Sequence, residues 1–289
     1  MSLKKIYLPE RFNYIACFLN LNCNFNCDYC INLFDGLDNK GHLIPGNDWV
    51  KALNRLVSRS DLPITLQGGE PSLHPDFNSI INKIHNGQNI DILTNLSFDV
   101  EIFAKEVNPS RLKRKAPYAS IRASYHPQQI NADLFIEKML YLKKAGFSIG
   151  AYGVLHPLIK DHILKTKKKC EQLRIDFRVK EFLGEYRGEL SGLYKYEDSV
   201  GCKTKRTCKC RTSELIIGPD CNVYRCHHDL YKGFPHIGNL LDPEFDIEDK
   251  FRDCDQYGDC NPCDLKVKTN RFQNFGHCSV EIKDVGGEK

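Results

Sequence analysis

YIACFLNLNCNFNCDYC, residues 14–30, joins an apolar run of strand length to three cysteines spaced C-x3-C-x2-C. The run YIACFLNL (14–21) ends just before Cys23, so Cys23, Cys27 and Cys30 fall in the loop after a first strand. Three cysteines are one short of a closed zinc site, and an odd set does not make a disulfide framework.

Working outward, strand-like and helix-like segments alternate. The segment 47–57 places Trp49, Val50, Leu53, Leu56 and Val57 at helical spacing behind a cap at Asn47 or Asp48. LPITLQ (62–67) reads as the next strand and runs into Gly68 and Gly69. Further strands are read at IDILTN (90–95), YASIRAS (118–124), FSIGAYGVL (147–155) and RIDFRVKEF (174–182). The clearest helix is 131–145, with Phe135, Ile136, Met139, Leu140 and Leu142 on one face and Gly146 as its C-cap. About six strand and helix pairs predict an α/β fold whose parallel sheet is wound as a full or partial barrel.

Near residue 184 the character changes. GEYRGELSG is polar and rich in glycine, and nine of the fourteen cysteines follow it. A boundary is placed at 185–198, giving a barrel over about 1–190 and a small cysteine-rich domain over about 191–289. Short strands at SELIIG and NVYRC fit a unit organised by metal rather than by a large core.

The bulk numbers are those of an ordinary soluble globular protein. The 289 residues are 41% hydrophobic and 27% charged, with a formal charge of +4. No run approaches the ~18 apolar residues of a membrane span, and the N-terminus lacks a signal-like apolar stretch. A cytoplasmic location is expected, where thiols stay reduced, so the cysteines point to metal or cluster ligation. The basic runs RLKRK (111–115) and KTKKK (165–169) are read as solvated faces, since no aromatics interleave them, and neither nucleic acid nor membrane is expected as a partner.

A 4Fe-4S cluster held by three cysteines leaves one iron open to a ligand that is not protein. In this the sequence resembles the radical S-adenosylmethionine (radical SAM) enzymes, which carry C-x3-C-x2-C after the first strand and chelate the cofactor at the open iron. Cys23, Cys27 and Cys30 match, and Tyr29 holds the family's aromatic position. QGGEP (67–71) stands where the family carries its GGEP motif, after the second strand. The resemblance implies that the backbone of Gly68, Gly69 and Pro71 and the carboxylate of Glu70 meet the ammonium of S-adenosylmethionine. It implies further that Thr94, Asn95, Arg122 and Ser124 hold ribose and carboxylate, and that Val154 and Leu155 line the adenine pocket.

The tail resembles the SPASM extension of that family, which holds two auxiliary 4Fe-4S clusters. Cys202, Cys208, Cys226 and Cys263 would ligate one, and Cys254, Cys260 and Cys278 the other. Two departures stand out: Phe251 occupies the place of an expected cysteine, and the Cys260-x2-Cys263 interval is x2 rather than x3. Asp253, Cys210, Cys221, water or substrate would fill the fourth site. In IIGPDCNVYRC, Cys221 stands where glycine is expected. Two alternatives remain. One is the shorter twitch version, with a single cluster on Cys208, Cys226, Cys260 and Cys263; the other is a non-enzymatic zinc module built on the Cys260-x2-Cys263 knuckle. Cys17 and Cys170 read as buried small hydrophobes.

The activity implied is reductive cleavage of S-adenosylmethionine to a 5'-deoxyadenosyl radical, which takes a hydrogen atom from substrate. Electrons would come from a flavodoxin or ferredoxin. Auxiliary clusters favour an oxidation, such as dehydrogenation or cross-linking, with His227 or His228 taking the proton. The redox-neutral alternative is an epimerase in which Cys210 or Cys221 returns a hydrogen atom. Substrate is a peptide or a small molecule. Only 22 residues precede Cys23, so binding of a peptide leader would fall to a separate protein.

Overall fold

The computed structural model describes residues 3–32, 37, 43–202, 204–268 and 277–286. In chain order these form β1 (Ile6–Tyr7), β2 (Tyr14–Asn20), α1 (Gly46–Leu53), β3 (Leu56–Val57), β4 (Ile64–Gly68), α2 (Phe77–Lys83), β5 (Ile90–Thr94) and α3 (Val100–Glu106). Next come β6 (Ile121–Ser124), α4 (Ala132–Lys144), β7 (Ile149–Leu155), α5 (Lys160–Gln172), β8 (Phe177–Glu181), β9 (Gly184–Tyr186) and β10 (Glu189–Ser191). The tail contributes β11 (Arg206–Thr212), β12 (Glu214–Ile217), β13 (Asn222–Tyr224), α6 (His227–Lys232), β14 (Gly238–Asn239), β15 (Arg252–Tyr257), α7 (Pro262–Leu265) and β16 (Val280–Lys283).

The six expected strands β2, β4, β5, β6, β7 and β8 lie side by side in that order, all parallel, with helices between them. This is the mixed α/β, parallel-sheet architecture the alternation predicts. The tail strand β12 joins the same sheet, parallel to β2 (Ile216 beside Ala16), and β13 and β14 extend it antiparallel. A separate three-stranded sheet, β15-β11-β16, carries the remaining tail strands.

Side chains alternate across a strand, so registered neighbours share a face. Ile15, Cys17, Leu19, Ile64, Leu66, Ile92 and Ile121 point to the helices and pack with Trp49, Phe77, Phe103, Phe135 and Met139 in one core. Cys17 and Cys170 are both fully buried there, as expected of small hydrophobes. The opposite face is the barrel interior, and it is polar: Tyr14, Thr65, Asp91, Arg122, Tyr152, Arg178 and Lys180 follow one another across the register. Leu93 pairs with Arg122 on that face.

Three local expectations are corrected. The helix read at 47–57 starts at Gly46, whose N–H donates to Asp76 (2.8 Å), and stops at Leu53. There the Gln88 amide donates to the carbonyls of Leu53 and Leu56, and Leu56–Val57 pair with β1 as a strand. β6 begins at Ile121 rather than at Tyr118. The run RLKRK is not a solvated face throughout: Arg114 makes a two-pronged bond to buried Asp91 (2.9 Å each), and Arg111 donates to the Ile84 carbonyl (2.8 Å). Periodicity cannot reveal a charge whose partner is a distant strand. Gly146 does end α4: its φ of +91° turns the chain so that Phe147 N–H reaches the Leu142 carbonyl. Among the described residues no helix is long and apolar enough to cross a membrane.

Candidate active site

The cysteine loop is fastened to the GGEP turn by its backbone. Gly69 N–H donates to the Asn20 carbonyl (3.1 Å), Glu70 N–H to that of Asn22 (2.8 Å), and the Asn20 side chain returns a bond to the Glu70 carbonyl (2.8 Å). The two glycines follow from this closeness. A Cβ on Gly68 would stand 2.2 Å from the Asn20 carbonyl oxygen, and one on Gly69 only 2.1 Å from that of Asn22.

Glu70 is fully buried, and its carboxylate is fully engaged. One oxygen accepts from the Ser72 N–H (3.1 Å), the Ser72 hydroxyl (2.6 Å) and the Thr94 hydroxyl (2.8 Å); the other accepts from the Asn95 N–H (2.6 Å). Burial raises its pKa above the usual carboxylate value, and the donors act against that rise. Glu70 thus clasps the β4 turn, which continues through buried Pro71, to the end of β5. Thr94 is part of this clasp. Asn95 reaches the cysteines, with its amide 3.7 Å from Cys23 Sγ and 2.9 Å from Asn24 Oδ1.

Cys23 and Cys30 are exposed, Cys27 is half-buried, and all three are free thiols. They lie within electrostatic reach of one another: burial, then Cys30 and Cys23, pushes the Cys27 thiol up to about 12. Iron binds thiolate, so a cation at the loop would have to displace that proton. Tyr29 is buried between two histidine rings, His126 (5.9 Å) and His156 (5.4 Å), with its hydroxyl 3.0 Å from His126 Nδ1. His126 Nδ1 is also 3.4 Å from Cys27 Sγ, and burial holds its pKa down to about 4. Neither histidine was singled out from the sequence. Their signal was position: His126 lies two residues beyond β6 and His156 directly follows β7, at the strand ends where barrel sites form.

Other expected cofactor residues are spread differently. Ser124 ends β6 on the inner face beside Tyr152. Val154 faces inward next to Lys180, whereas Leu155 lies on the other face beside Glu181, so a single pocket does not take both. Arg122 is buried low in the barrel, 3.6 Å from Asp91 and 3.2 Å from the Thr65 hydroxyl. The expectation that it meets a cofactor carboxylate gives way to an internal ion network, in which Arg122 shares Asp91 with Arg114.

The tail meets the barrel mouth through α6. The Tyr231 hydroxyl donates to Asn32 Oδ1 (2.8 Å), and the Asn32 amide donates to the Gly68 carbonyl (3.1 Å), tying helix to GGEP turn. His227 Nδ1 stands 2.8 Å from Asp264, whose carboxylate also accepts the backbone N–H groups of His227 and His228 (3.1 Å each). The His227 ring packs edge-on against Phe18, an inner-face residue of β2, and against Tyr231. His228 turns away, against Phe234, with its Nε2 buried and unpartnered and its pKa lowered by burial.

The tail thiols do not divide as the spacing suggests. Cys208 lies directly across from Cys254 in the β11–β15 pair. Hydrogen bonds from Cys208 and Cys210 lower the Cys254 pKa, and Cys226 and Cys260 pack against the same small core. The two expected ligand sets therefore meet in one group, to which Cys210 is added. Cys202 is half-buried, with its N–H bonded to the Gly258 carbonyl (2.9 Å), and Cys278 is buried, donating to the Val280 carbonyl (2.7 Å). Cys263 is set among charges: Lys266, Asp264, Lys268 and Glu214 act on it after burial. Among the described residues no three His, Cys, Asp or Glu side chains close on a single metal ion. Ligands of a cubane are spread around a cage rather than a point.

Cys221 is corrected as a ligand or hydrogen donor. It is fully buried in the barrel core, near Cys17, at φ +64°. That positive φ explains why glycine is the residue expected at this turn. Asp253 is exposed, on the strand face opposite Cys254, and Phe251 lies under Arg211 (4.8 Å) and Lys283 (4.0 Å).

The Radical SAM superfamily model matches residues 19–170, which span the cysteine triplet, the GGEP turn and β4 to α5. GTP 3',8-cyclase of Helicobacter pylori (strain HPAG1) is 28% identical over 192 residues, 61% of this chain and 59% of that enzyme's length. Native anSMEcpe with bound AdoMet and Kp18Cys peptide has the same fold over 80% of this chain and 78% of its own, at TM-score 0.52 and 16% identity. The structure of native anSMEcpe with bound AdoMet matches at TM-score 0.54 and 15% identity, over 80% of this chain and 78% of that one. With more than half of its residues in the family match, the chain belongs to the Radical SAM superfamily, whose enzymes use S-adenosylmethionine and a 4Fe-4S cluster for radical chemistry.

Proposed function

We propose that Cys23, Cys27 and Cys30 hold the catalytic 4Fe-4S cluster and that S-adenosylmethionine lies over the 68–71 turn and Asn95. The observation that carries this is the backbone fastening of the thiol loop to Gly69 and Glu70, where Gly68 and Gly69 leave no side chain between the turn and the loop backbone. When bound there, the cluster and cofactor would supply the radical chemistry that removes a hydrogen atom from substrate. The chain supplies positions. Glu70 fixes the turn, Asn95 holds Cys23 by its amide, and Tyr29 between its two histidines backs the loop with an aromatic wall.

The tail group of Cys208, Cys210, Cys226, Cys254 and Cys260 is the proposed seat of an auxiliary cluster of SPASM or twitch type. It supports an oxidation, with an external flavodoxin- or ferredoxin-type donor starting the cycle. His227, oriented by Asp264 and turned towards the barrel interior, is the better placed of the two histidines to take the proton. A nucleotide-type substrate in a redox-neutral ring closure is the second reading, favoured by the similarity to GTP 3',8-cyclase and by Arg122, Arg178 and Lys180 on the inner face.

Anaerobic reconstitution with iron and sulfide counting, followed by assay of 5'-deoxyadenosine, tests the proposal. Eight irons per chain and cofactor cleavage are expected for one catalytic and one auxiliary cluster. A triple Cys23→Ala, Cys27→Ala, Cys30→Ala chain that still cleaves the cofactor would refute the assignment. Deuterated candidate substrates that transfer label to 5'-deoxyadenosine identify the substrate.

A further inference from the structure

Leu96 is a fully buried, branched residue held at φ +61°, the left-handed conformation that residues other than glycine rarely adopt. Such a conformation persists only where its surroundings over-determine it, and it is found most often at functional sites. The turn of residues 94–98, which leads out of β5, is fastened from two directions. From the β4 turn, Glu70 accepts the Asn95 N–H (2.6 Å), and the Thr94 hydroxyl oxygen, itself bonded to Glu70, accepts the Leu96 N–H (3.0 Å). From α4, the ammonium of half-buried Lys138 donates to the carbonyls of Leu96 (2.9 Å) and Phe98 (2.8 Å). The Phe98 ring lies 4.7 Å from that of Phe103, so the far end of the turn is anchored in the core.

What this turn presents to the thiol loop is the Asn95 side chain. Its oxygen accepts the Ser97 N–H (2.9 Å), which leaves its amide to Asn24 Oδ1 (2.9 Å) and Cys23 Sγ (3.7 Å). The Ser97 hydroxyl donates to the same Asn24 oxygen (3.3 Å). Both anchors of the Asn95 side chain therefore depend on the direction in which Leu96 turns the chain. Without the ammonium, two carbonyls would lose a charge-assisted donor and Leu96 would be released towards its commoner backbone region, carrying the Ser97 N–H away from Asn95.

We infer that Lys138 is a positioning residue for the thiol loop: by gripping the Leu96 and Phe98 carbonyls it holds Leu96 left-handed and so aims the Asn95 amide at Cys23 and Asn24. The inference rests on the reading above that Cys23 holds the catalytic cluster and that S-adenosylmethionine lies over Asn95. Lys138 acts through Asn95, since its own hydrogen bonds go to carbonyls of the turn.

Hydrogen exchange read by mass spectrometry and calorimetric titration of S-adenosylmethionine, both on the reconstituted full chain, test this. Lys138→Met should speed exchange at residues 95–97 by roughly tenfold, leave β2 unchanged, and weaken cofactor binding by a similar factor. Lys138→Arg, which still offers N–H groups to the two carbonyls, should retain most of both properties. Asn95→Ala should weaken cofactor binding by itself, and Lys138→Met added to it should weaken binding no further, because the two residues act in series. The inference is overturned if Lys138→Met leaves exchange at 95–97 unchanged, or speeds exchange throughout the chain alike. It is also overturned if the loss of affinity in Lys138→Met adds in full to that of Asn95→Ala. Iron content and cofactor cleavage by the parent chain report separately on the proposed function, which fails if the triplet holds no iron even where the exchange result is as expected.

Discussion

Replacing Glu70 separates two roles that one carboxylate could have. Its four donors are two backbone N–H groups and two hydroxyls, all directed at a side chain with no exposure. In Glu70→Ala the hydroxyls of Ser72 and Thr94 can rotate, but the N–H groups of Ser72 and Asn95 lose their acceptors. Each unsatisfied buried donor costs about 1–3 kcal/mol, so a loss of roughly 3–5 kcal/mol is expected. In Glu70→Gln the amide oxygen can still serve three donors, leaving the NH2 facing the Asn95 N–H, and the cost falls to about 1–3 kcal/mol. Urea unfolding followed by circular dichroism reads this directly. With a slope near 3 kcal/mol/M, the alanine midpoint should fall by about 1 M or more. Affinity for S-adenosylmethionine should fall with stability, since the clasp shapes the turn. If Glu70→Gln lost cofactor binding with an unchanged midpoint, the carboxylate would be a direct ligand and the clasp argument would be wrong.

Three further outcomes follow from the geometry. Gly69→Ala should cost about 2 kcal/mol or more and lower iron binding at the triplet, because its Cβ meets the Asn22 carbonyl at 2.1 Å; a variant with full iron content and unchanged stability would contradict the close approach. Cys254→Ala should reduce iron per chain while Cys221→Ala leaves it unchanged, as Cys221 lies in the apolar core; iron counting on both decides. Burial lowers the pKa of His74, whose Nδ1 accepts the Asp76 N–H (3.1 Å). The unfolded chain therefore takes up this proton first. The contribution is fully present above the unfolded value near 6.5 and is lost as pH falls below it, at up to about 1.4 kcal/mol per pH unit for one proton. His74→Gln should flatten the stability profile below pH 6.5, and an unaltered slope would count against the assignment.

Legible along the chain were the strand and helix alternation, the loop holding Cys23, Cys27 and Cys30, and the GGEP turn one strand later. These are local: apolar periodicity fixes which face meets the core, and two adjacent glycines announce a backbone approach. Tertiary structure alone decided which polar groups are engaged. Arg122 and Arg114 share Asp91 from another strand, and Glu70 is consumed by Thr94 and Asn95. Cys208 meets Cys254 across a ladder of antiparallel strands. The tail strand β12 enters the barrel sheet beside β2, some two hundred residues earlier in the chain, and α6 then sets His227, with Asp264 bonded to it, against Phe18. Spacing along a chain reports what neighbours can share. It carries no record of which distant charge or thiol will be placed opposite, because that depends on register between strands and on burial, which exist only once the chain has folded.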